Sequence, residues 1–293
     1  MKHIIHIGAN KTASTLLQRR LFACHPTIAY LGEDCRNYAT LRPVLETLIQ
    51  KDDSYYDEAH TRDLFEKTAV ESGKSTMVFS SEDILASRHP SVCAARLGRL
   101  MPFATVVLVL RNQLTTWPSW YINHGAYLKG VPRRYWRRHV SFAEWLEYCF
   151  KFPDQTPVEA MNYYRQMEIF SRVFGGDRLK VLLYEDLIQR PTDYYGQWGT
   201  ILGLPGREVE KHLQGRRERP RLSQRRYLFD RWSAAFPVAL LKPFAESWLD
   251  GGRPAHIDIP PDWVGRIRAF YAPGNRKIEM ATGLCLSRNG YPV

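Results

Sequence analysis

Short runs of apolar and β-branched residues recur in the first 184 positions, and each is bounded by polar or turn-forming residues. This pattern predicts four β-strands, at residues 3–7, 76–80, 105–110 and 179–184. The third run contains Val106-Val107-Leu108-Val109-Leu110, which is apolar at every position. A run of this kind is typical of a strand in the middle of a parallel sheet, where both faces are buried.

Between these runs, apolar residues recur at helical spacing, at residues 16–21, 64–69 and 95–100. Strands that alternate with helices predict right-handed βαβ crossovers. The expected fold is therefore α/β, with a doubly wound central parallel sheet flanked by helices. After residue 184 the pattern is mostly helical, at 194–202, 207–212, 227–236 and 261–282, while the Arg-rich segment 215–226 predicts a loop. No repeat, low-complexity tract or long linker interrupts the 293 residues, so we expect a single domain over 1–293 with a mostly helical C-terminal part.

The composition narrows the class of protein. Hydrophobic residues make up 44% and aromatic residues 13% of the chain, as in a packed globular protein. The net charge of +11 favours anionic partners but does not choose among nucleotides, acidic glycans, membrane surfaces and nucleic acid. The five cysteines form no CxxC pair, which argues against a disulfide framework or a zinc site and predicts buried free thiols. Without an apolar run long enough for a membrane span or a signal peptide, we expect a complete, cytoplasmic protein.

The segment between the first predicted strand and the following helix combines a lysine with several hydroxyl groups. Gly8 ends the strand, and the next positions include Asn10, Lys11, Thr12, Ala13, Ser14 and Thr15. A helix beginning near Thr15 would offer unpaired N–H groups and its positive dipole end to an anion. The spacing is not that of a Walker A loop, because no Gly-Lys pair is present. Taken alone, the segment is equally compatible with an anion-binding loop and with a helix cap beside a solvated lysine.

A second candidate anion-binding residue follows the central strand. Arg111 comes directly after Leu110, at the carboxyl end of a predicted parallel strand, where α/β proteins bind their ligands. Its planar guanidinium suits a phosphate group. A helix from about Gln113 would place Ser119 two turns further along. An arginine with a purely structural role at the strand end is the alternative.

The two segments together resemble those of PAPS-dependent sulfotransferases, where PAPS is 3′-phosphoadenosine-5′-phosphosulfate. Gly-x-x-Lys-Thr-x-Ser-Thr after a first strand resembles the family's 5′-phosphosulfate loop, which usually reads Lys-Thr-Gly-Thr/Ser-Thr/Ser. The pair Arg111 and Ser119 resembles its 3′-phosphate site. The resemblance is to bacterial-type, carbohydrate sulfotransferase-like members and implies a fold related to that of P-loop proteins.

The resemblance also assigns roles to residues. It implies that Lys11 holds the bridging oxygen of PAPS and that Thr12, Ser14 and Thr15 hold the 5′-phosphate and sulfuryl oxygens, within a loop that includes Gly8, Asn10 and Ala13. Ala13 stands where the family usually has glycine, and we expect helical backbone angles there, at which alanine costs nothing. PAPS is then the co-substrate, its 3′,5′-bisphosphate (PAP) the product, and no metal is required, since lysines and backbone donors can stabilise transfer of a singly charged sulfuryl group.

Three later segments extend the resemblance, which runs from residue 4 to about 284. Leu182-Leu183-Tyr184-Glu185-Asp186-Leu187 resembles the family's strand-end Tyr-Glu-Asp-Leu. Residues 270–277, followed by Gly283, resemble its closing helix, Tyr-x₃-Asn-x₂-Leu. Arg221 and Ser223 fall where the family places a loop that covers the nucleotide.

Sulfuryl transfer to a hydroxyl group requires a base, and two residues besides Lys11 are catalytic candidates. Glu82 follows a predicted strand and resembles the family's catalytic glutamate. A helix-capping role is the alternative, and Asp83 is the candidate if the register is off by one residue. His124 resembles the histidine in the Ser-Trp-Tyr-x-His stretch of glycan N-sulfotransferases, but one additional residue turns it by about 100° on a helix. His6 lies inside a strand, where a core histidine is the favoured interpretation.

Aromatic and basic residues are dense after Arg111. Half of the aromatic set suits core packing and the rest a platform for a sugar ring. Four arginines form either a solvated basic face or a rim that attracts an acidic glycan or a glycolipid headgroup at a membrane surface. The aromatic residues are Trp117, Trp120, Tyr121, Tyr127, Tyr135 and Trp136, and the arginines are Arg133, Arg134, Arg137 and Arg138.

The favoured function is transfer of the sulfuryl group of PAPS to a hydroxyl or amine of a carbohydrate or glycolipid, by in-line displacement. The first alternative is a P-loop kinase or nucleotide hydrolase using Mg-ATP, with residues 77–82 as a Walker B strand, and the missing Gly-Lys pair argues against it. The second is a non-enzymatic binder of polyanions or nucleic acid. Several arginines fall in loops expected to close over a ligand, so we expect no nucleic-acid partner.

Overall fold

The computed structural model describes residues 1–9, 11–33, 35, 38–124, 140–215, 222–233, 248–249 and 252–293. Within them, five strands form one parallel sheet in the order β2-β3-β1-β4-β5. The strands are β1 Lys2–Gly8, β2 Ile28–Gly32, β3 Thr76–Ser80, β4 Thr105–Leu110 and β5 Leu179–Leu183. The four predicted strands are confirmed to within one residue at each end, and β2 was not predicted.

Helices flank the sheet and dominate the chain after β5, as predicted. The first is α1 Ser14–Leu16, which continues as a π-helix over Leu17–Phe22. The others are α2 Tyr38–Gln50, α3 Glu58–Ser72, α4 Pro90–Leu100, α5 Gln113–His124, α6 Phe142–Lys151, α7 Pro157–Ala160, α8 Tyr163–Phe174, α9 Tyr184–Gln189, α10 Pro191–Leu202, α11 Gly206–Leu213, α12 Gln224–Ser233 and α13 Pro261–Thr282. Short 3₁₀ turns occupy Asp53–Tyr55, Glu82–Ile84, Pro153–Gln155, Gly176–Arg178 and Leu286–Asn289.

The loop predicted over 215–226 was wrong at its end, because α12 begins at Gln224. The Ser223 hydroxyl accepts the Arg226 N–H at 3.1 Å and so caps this helix. Residues 216–221 lie outside the described residues, as do 234–236 of the predicted helix 227–236.

The direction in which strands are added to the sheet reverses at β1. From β1 the chain runs out to β2, returns to β3, and then crosses β1 to β4 and β5 on the other side. The connections that leave β1 and β4 therefore diverge at the carboxyl edge of the sheet. Such a point of reversal is where open α/β sheets bind ligands.

One face of the sheet packs against α1 and α10. The apolar side chains that fill this layer include Ile4, Val78, Val107, Leu17 and Trp198, all nearly fully buried. In β4, the residues from Val106 to Leu110 are fully buried, which agrees with a central strand. The rigid sheet fixes the positions of the connections at its carboxyl edge.

The chain forms two compact units whose segments alternate along the sequence. The first comprises Met1–Arg111, Asp154–Glu218 and Gly274–Leu284, and it holds the whole sheet. The second comprises Asn112–Pro153, Arg219–Pro273 and Cys285–Val293. Its described core is aromatic, with Tyr121 stacked on Phe142 at 4.5 Å between ring centroids. The single domain over 1–293 stays a prediction.

The five cysteines are all free thiols, as predicted, but only Cys93 and Cys149 are buried, whereas Cys24 and Cys285 are exposed. Across the described ranges, no helix is both long enough and apolar enough to cross a bilayer.

Candidate active site

The connection after β1, residues 9–15, is called the lysine loop below. In this loop the Ala9 carbonyl accepts two hydrogen bonds from Thr12, one from its N–H at 3.2 Å and one from its hydroxyl at 2.5 Å. The Ala9 N–H in turn donates to the carbonyl of Val109 in β4 at 3.3 Å. Thr12 and Ser14 are buried, and their hydroxyl oxygens lie 3.1 Å apart. Two of the three hydroxyl groups singled out in the sequence, those of Thr12 and Ser14, therefore lie side by side within the loop.

Among the described residues of the lysine loop, Lys11 and Ala13 adopt left-handed backbone angles. Lys11 has φ 72°, and Ala13 has φ 63° and ψ 23°. The expectation of helical angles at Ala13 was wrong. Ala13 is the N-cap residue of α1 and so lies outside the helix, although its carbonyl accepts the Leu16 N–H at 2.9 Å. Left-handed angles cost a residue with a Cβ about 1 kcal/mol, so the loop is strained at both positions.

Gly8 is required by close packing under the loop. A Cβ at this position would stand 2.5 Å from Ser14 Oγ and 2.9 Å from His6 Nε2. Real Cβ atoms do not approach other atoms so closely, so glycine allows the strand end, the loop and His6 to meet.

Arg111 is buried against the lysine loop. Its Nη1 donates to the Lys11 carbonyl oxygen at 2.7 Å, and its guanidinium carbon lies 4.7 Å from the centroid of the Tyr184 ring. The Tyr163 hydroxyl donates to the Arg111 carbonyl at 2.8 Å. The two candidate anion-binding residues are thus joined directly.

His6 forms a buried polar cluster beneath the loop. Its Nδ1 lies 2.8 Å from Ser80 Oγ, which also accepts a hydrogen bond from Gln18 Nε2 at 3.1 Å. The ring packs edge-on against Phe22 and Trp198. Complete burial lowers the pKa of His6 to about 3, so the ring is neutral at physiological pH. His6 is a core histidine, as the sequence favoured, but its Nε2 has no hydrogen-bond partner among the described residues.

Glu82 lies at the same edge of the sheet as the lysine loop, directly beyond β3. It is half-buried and begins the 3₁₀ turn Glu82–Ile84. The cap of this turn is Ser81, whose hydroxyl accepts the Asp83 N–H at 3.2 Å. The hydrogen bond that caps this turn is therefore made by Ser81. Asp83 is exposed.

Other predicted site residues belong to the second unit or lie outside the described residues. Ser119 is half-buried on α5, and His124 ends the same helix, but the side chain of His124 is outside the description. The Ser223 hydroxyl is buried and donates to the Leu249 carbonyl at 2.5 Å. Asn10, Arg221, Tyr127 and the stretch from 129 to 139, with its four arginines, Tyr135 and Trp136, fall outside the described residues. The roles of all these residues stay predictions.

Of the predicted aromatic platform, Trp117 and Tyr121 are buried in the core of the second unit. Trp117 lies 5.4 Å from Trp145 between ring centroids, and the Tyr121 hydroxyl donates to the Val140 carbonyl at 2.6 Å. These two residues therefore serve packing, which agrees with the half of the set expected to do so.

The site contains residues that were not predicted. Tyr184 and Tyr163 position Arg111, and Ser80 and Gln18 form the cluster with His6. Tyr184 lies within the family-like Tyr-Glu-Asp-Leu, which was the available signal. In the described parts of the chain, no group of three or more His, Cys, Asp or Glu side chains is placed to hold a metal ion.

Comparison with solved structures identifies the fold. A sulfotransferase from Alicyclobacillus acidocaldarius is 19% identical, with a TM-score of 0.56 over 98% of each chain. The sulfotransferase domain of the Synechococcus PCC 7002 olefin synthase is 15% identical, with a TM-score of 0.45 over 88% of this chain and 90% of that one. The sulfotransferase domain from the curacin biosynthetic pathway is 13% identical, with a TM-score of 0.45 over 99% of this chain and 98% of that one. No protein-family model and no curated protein sequence matches the chain.

The likeness to the Alicyclobacillus structure extends over nearly the whole chain, and its TM-score exceeds that of the other two. The chain therefore has a sulfotransferase fold, as the sequence predicted.

Proposed function

We propose that the protein is a sulfotransferase that uses PAPS as its donor. The observation that carries the proposal is the hydrogen bond from Arg111 Nη1 to the Lys11 carbonyl, 2.7 Å long. It brings the two predicted anion-binding residues together where the connections of β1 and β4 diverge. Such a pair would suit PAPS, which carries phosphate groups at both its 3′ and its 5′ position. ATP has no 3′-phosphate.

The lysine loop supplies the donors for the 5′ end of PAPS. Thr12, Ser14 and Thr15 are buried hydroxyl residues at the base of the loop. The Ser14 and Thr15 hydroxyls would act as preorganised donors, because they need not be stripped of water when an anion binds, whereas the Thr12 hydroxyl donates to the Ala9 carbonyl and stabilises the loop. By resemblance, Gly8, Asn10 and Ala13 complete this half of the site.

For the 3′ end, the resemblance assigns Arg111 and Ser119 to the phosphate and Arg221 and Ser223 to a covering loop. Of these, Arg111 carries the most weight, because its guanidinium is already held by Tyr184 and by the Lys11 carbonyl. A guanidinium that is held in place loses little conformational freedom when it binds a phosphate.

The proposed reaction is an in-line displacement at sulfur. The acceptor oxygen or nitrogen bonds to sulfur while the bond from sulfur to the bridging oxygen breaks, and the electron pair of that bond leaves with the 5′-phosphate of PAP. Lys11 stabilises the negative charge that develops on the bridging oxygen. Glu82 accepts the proton of the acceptor, and His124 is the alternative base.

The proposed acceptor is a carbohydrate or glycolipid, and the proposed location is the cytoplasm, with contact at membrane surfaces for a lipid-linked acceptor. The net charge of +11 supports an acidic acceptor, and the aromatic residues after Arg111 other than Trp117 and Tyr121 support one that contains a sugar. Incubating the protein with isotopically labelled PAPS and a polar extract, followed by mass spectrometry, would identify the labelled product.

Titration calorimetry with PAP tests the donor assignment. Wild type should bind PAP, while Lys11→Ala and Arg111→Ala should each weaken binding at least tenfold, as loss of a charge-assisted hydrogen bond predicts. Lys67→Ala is the matched control, since Lys67 is an exposed lysine on α3 that pairs with Glu71. Tight binding of Mg-ATP without any binding of PAP would overturn the proposal in favour of a kinase or nucleotide hydrolase.

A further inference from the structure

In the cluster beneath the lysine loop, the buried Nε2 of His6 has no hydrogen-bond partner among the described residues. The whole His6 side chain is fully buried. Leaving a buried polar group unpaired is costly, so such an atom calls for an explanation. Nε2 lies 2.9 Å from where a Gly8 Cβ would stand, at the end of β1 where the lysine loop begins.

The hydrogen bonds of Ser80 decide which nitrogen of His6 carries the proton. Ser80 Oγ accepts from Gln18 Nε2, and its other partner is His6 Nδ1. If Nδ1 carried the proton, two donors would point at Ser80 Oγ and its own hydrogen would have no acceptor. With the Gln18 amide oriented so that its Nε2 donates, the Ser80 hydroxyl donates to Nδ1 and the proton of the neutral ring is on Nε2, while Gln18 Oε1 has no hydrogen-bond partner among the described residues.

The hydrogen bonds of Thr12 decide the direction on the other side of the gap. The only hydroxyl hydrogen of Thr12 goes to the Ala9 carbonyl. In the 3.1 Å contact with Ser14, Thr12 must therefore accept and Ser14 must donate. Ser14 Oγ is then left with a lone pair. A Cβ at Gly8 would stand 2.5 Å from Ser14 Oγ and 2.9 Å from His6 Nε2, so both atoms border the space that Gly8 leaves open.

We propose that His6 is a positioning residue of the lysine loop, and that its Nε2–H donates to Ser14 Oγ when the loop holds the donor anion. The bond extends the hydrogen-bonded chain from Gln18 through Ser80 and His6 to Ser14 in the lysine loop. The proposal rests on the proposed function, since the anion is the 5′-phosphosulfate group of PAPS.

Anion binding supplies a reason for this bond to form. When the Ser14 hydroxyl turns its hydrogen from Thr12 to an anionic oxygen, its own oxygen becomes a stronger acceptor. The donor beneath it is then His6, which holds Ser14 in the direction that the anion needs. A neutral imidazole can do so without bringing a buried charge into the core.

Nuclear magnetic resonance of the full chain with ¹⁵N-labelled histidine tests the proposal directly. His6 is one of nine histidines, and its signals are assigned by their loss in His6→Asn. In free wild type we expect the Nε2–H tautomer at neutral pH. Addition of PAP should move the Nε2–H proton downfield, as a shorter hydrogen bond requires. A proton on Nδ1 instead would overturn the proposal.

Two substitutions separate the contact to the loop from the contact to the core. Asn places its amide near the Nδ1 position and keeps the side towards Ser80, whereas Gln reaches the Nε2 position and keeps the side towards Ser14. His6→Asn should weaken PAP binding about three- to tenfold, the worth of one hydrogen bond, and His6→Gln should bind within about twofold of wild type. The control is His3→Asn, on the opposite face of β1, with affinity unchanged.

The outcomes distinguish this proposal from the proposed function. If PAP neither binds nor shifts any resonance of wild type, the donor assignment fails, and the role of His6 fails with it. If PAP binds while the His6 signals stay in place, or if the Asn and Gln variants bind it equally, only the role of His6 is overturned. The resonance experiment measures wild type, and either His6→Asn or His6→Gln serves to assign the His6 signals, so one folded variant is enough for the test.

Discussion

Arg111 donates a hydrogen bond from Nη1 to the main-chain carbonyl of Lys11, at 2.7 Å. Lys11 is in the left-handed region, with φ 72°, so the bond holds a backbone conformation that a lysine does not favour. The pairing of Gly8 in β1 with Val109 in β4 brings the two connections side by side. A substitution at Arg111 should therefore act on the loop as well as on a phosphate group.

Replacing Arg111 with lysine tests this double role. Arg111→Lys keeps the positive charge but loses the planar fork that reaches the Lys11 carbonyl while it packs on the Tyr184 ring. We expect the free energy of unfolding to fall by about 1.5–3 kcal/mol and PAP affinity to fall as well. Urea unfolding and titration calorimetry measure the two effects.

The matched control is Arg99→Lys, in an exposed pair with Glu58 at 2.6 Å. There the unfolding free energy should change by less than about 1 kcal/mol, because exposed ion pairs contribute little. Equal effects at the two arginines would contradict a special role for the bond to Lys11.

Ala13 offers a test of loop strain, because glycine adopts left-handed angles without a penalty. Ala13→Gly should raise the free energy of unfolding by about 1 kcal/mol. The same substitution at Ala69, inside α3, should lower it by about 0.5–1 kcal/mol, since glycine is unfavourable within a helix. Chemical denaturation should therefore show that Ala13→Gly and Ala69→Gly change the free energy of unfolding in opposite directions. A change in the same direction would show that Ala13 is not strained.

The sheet was predictable because four of its strands have apolar runs that no other element explains. The fifth, β2, escaped prediction, since Ile28-Ala29-Tyr30-Leu31-Gly32 is short and is a strand through its pairing with β3. The left-handed Ala13 escaped for a different reason. Backbone angles at a helix start depend on how the chain enters the helix, and alanine itself favours the right-handed region.

In the candidate site too, some features were predictable from local sequence, while others depend on how the strands pair. Lys11 and Arg111 were predictable as residues because each follows the end of an apolar strand, but their direct contact depends on β1 and β4 being neighbours. The cluster of His6 with Ser80 depends on the register of β1 against β3, which pairs these two residues across the sheet. Register is a property of the assembled sheet, and no local pattern specified it here.

Gly8 should tolerate no side chain. In Gly8→Ala the new Cβ would meet Ser14 Oγ at 2.5 Å and His6 Nε2 at 2.9 Å, so the loop must move. We expect a loss of about 1–3 kcal/mol in unfolding free energy, together with weaker PAP binding. At Gly176 a Cβ would have nothing within 4 Å, so Gly176→Ala is the control and should leave PAP affinity unchanged. An unaffected Gly8→Ala would contradict the described packing.

His6 should make the folded state sensitive to acid. Burial lowers its pKa from 6.5 to about 3, so the unfolded chain binds a proton between these values that the folded chain does not. The contribution of His6 to the free energy of unfolding is therefore fully present above pH 6.5. It declines as the pH falls towards 3, by up to about 1.4 kcal/mol per pH unit. Urea unfolding from pH 7 to pH 4.5 should show a shallower decline for His6→Gln than for wild type, and parallel curves would contradict the assignment.

Glu82 is the last residue whose role can be separated by substitution. Glu82→Gln keeps the size of the side chain and removes its ability to accept a proton, so kcat should fall about 10²- to 10⁴-fold while PAP affinity stays the same. The measurement is the rate of PAP formation with the acceptor identified by mass spectrometry. Asp83→Asn is the matched control, since Asp83 is exposed in the same 3₁₀ turn and should retain activity. Full activity in Glu82→Gln together with loss in His124→Asn would transfer the role of base to His124.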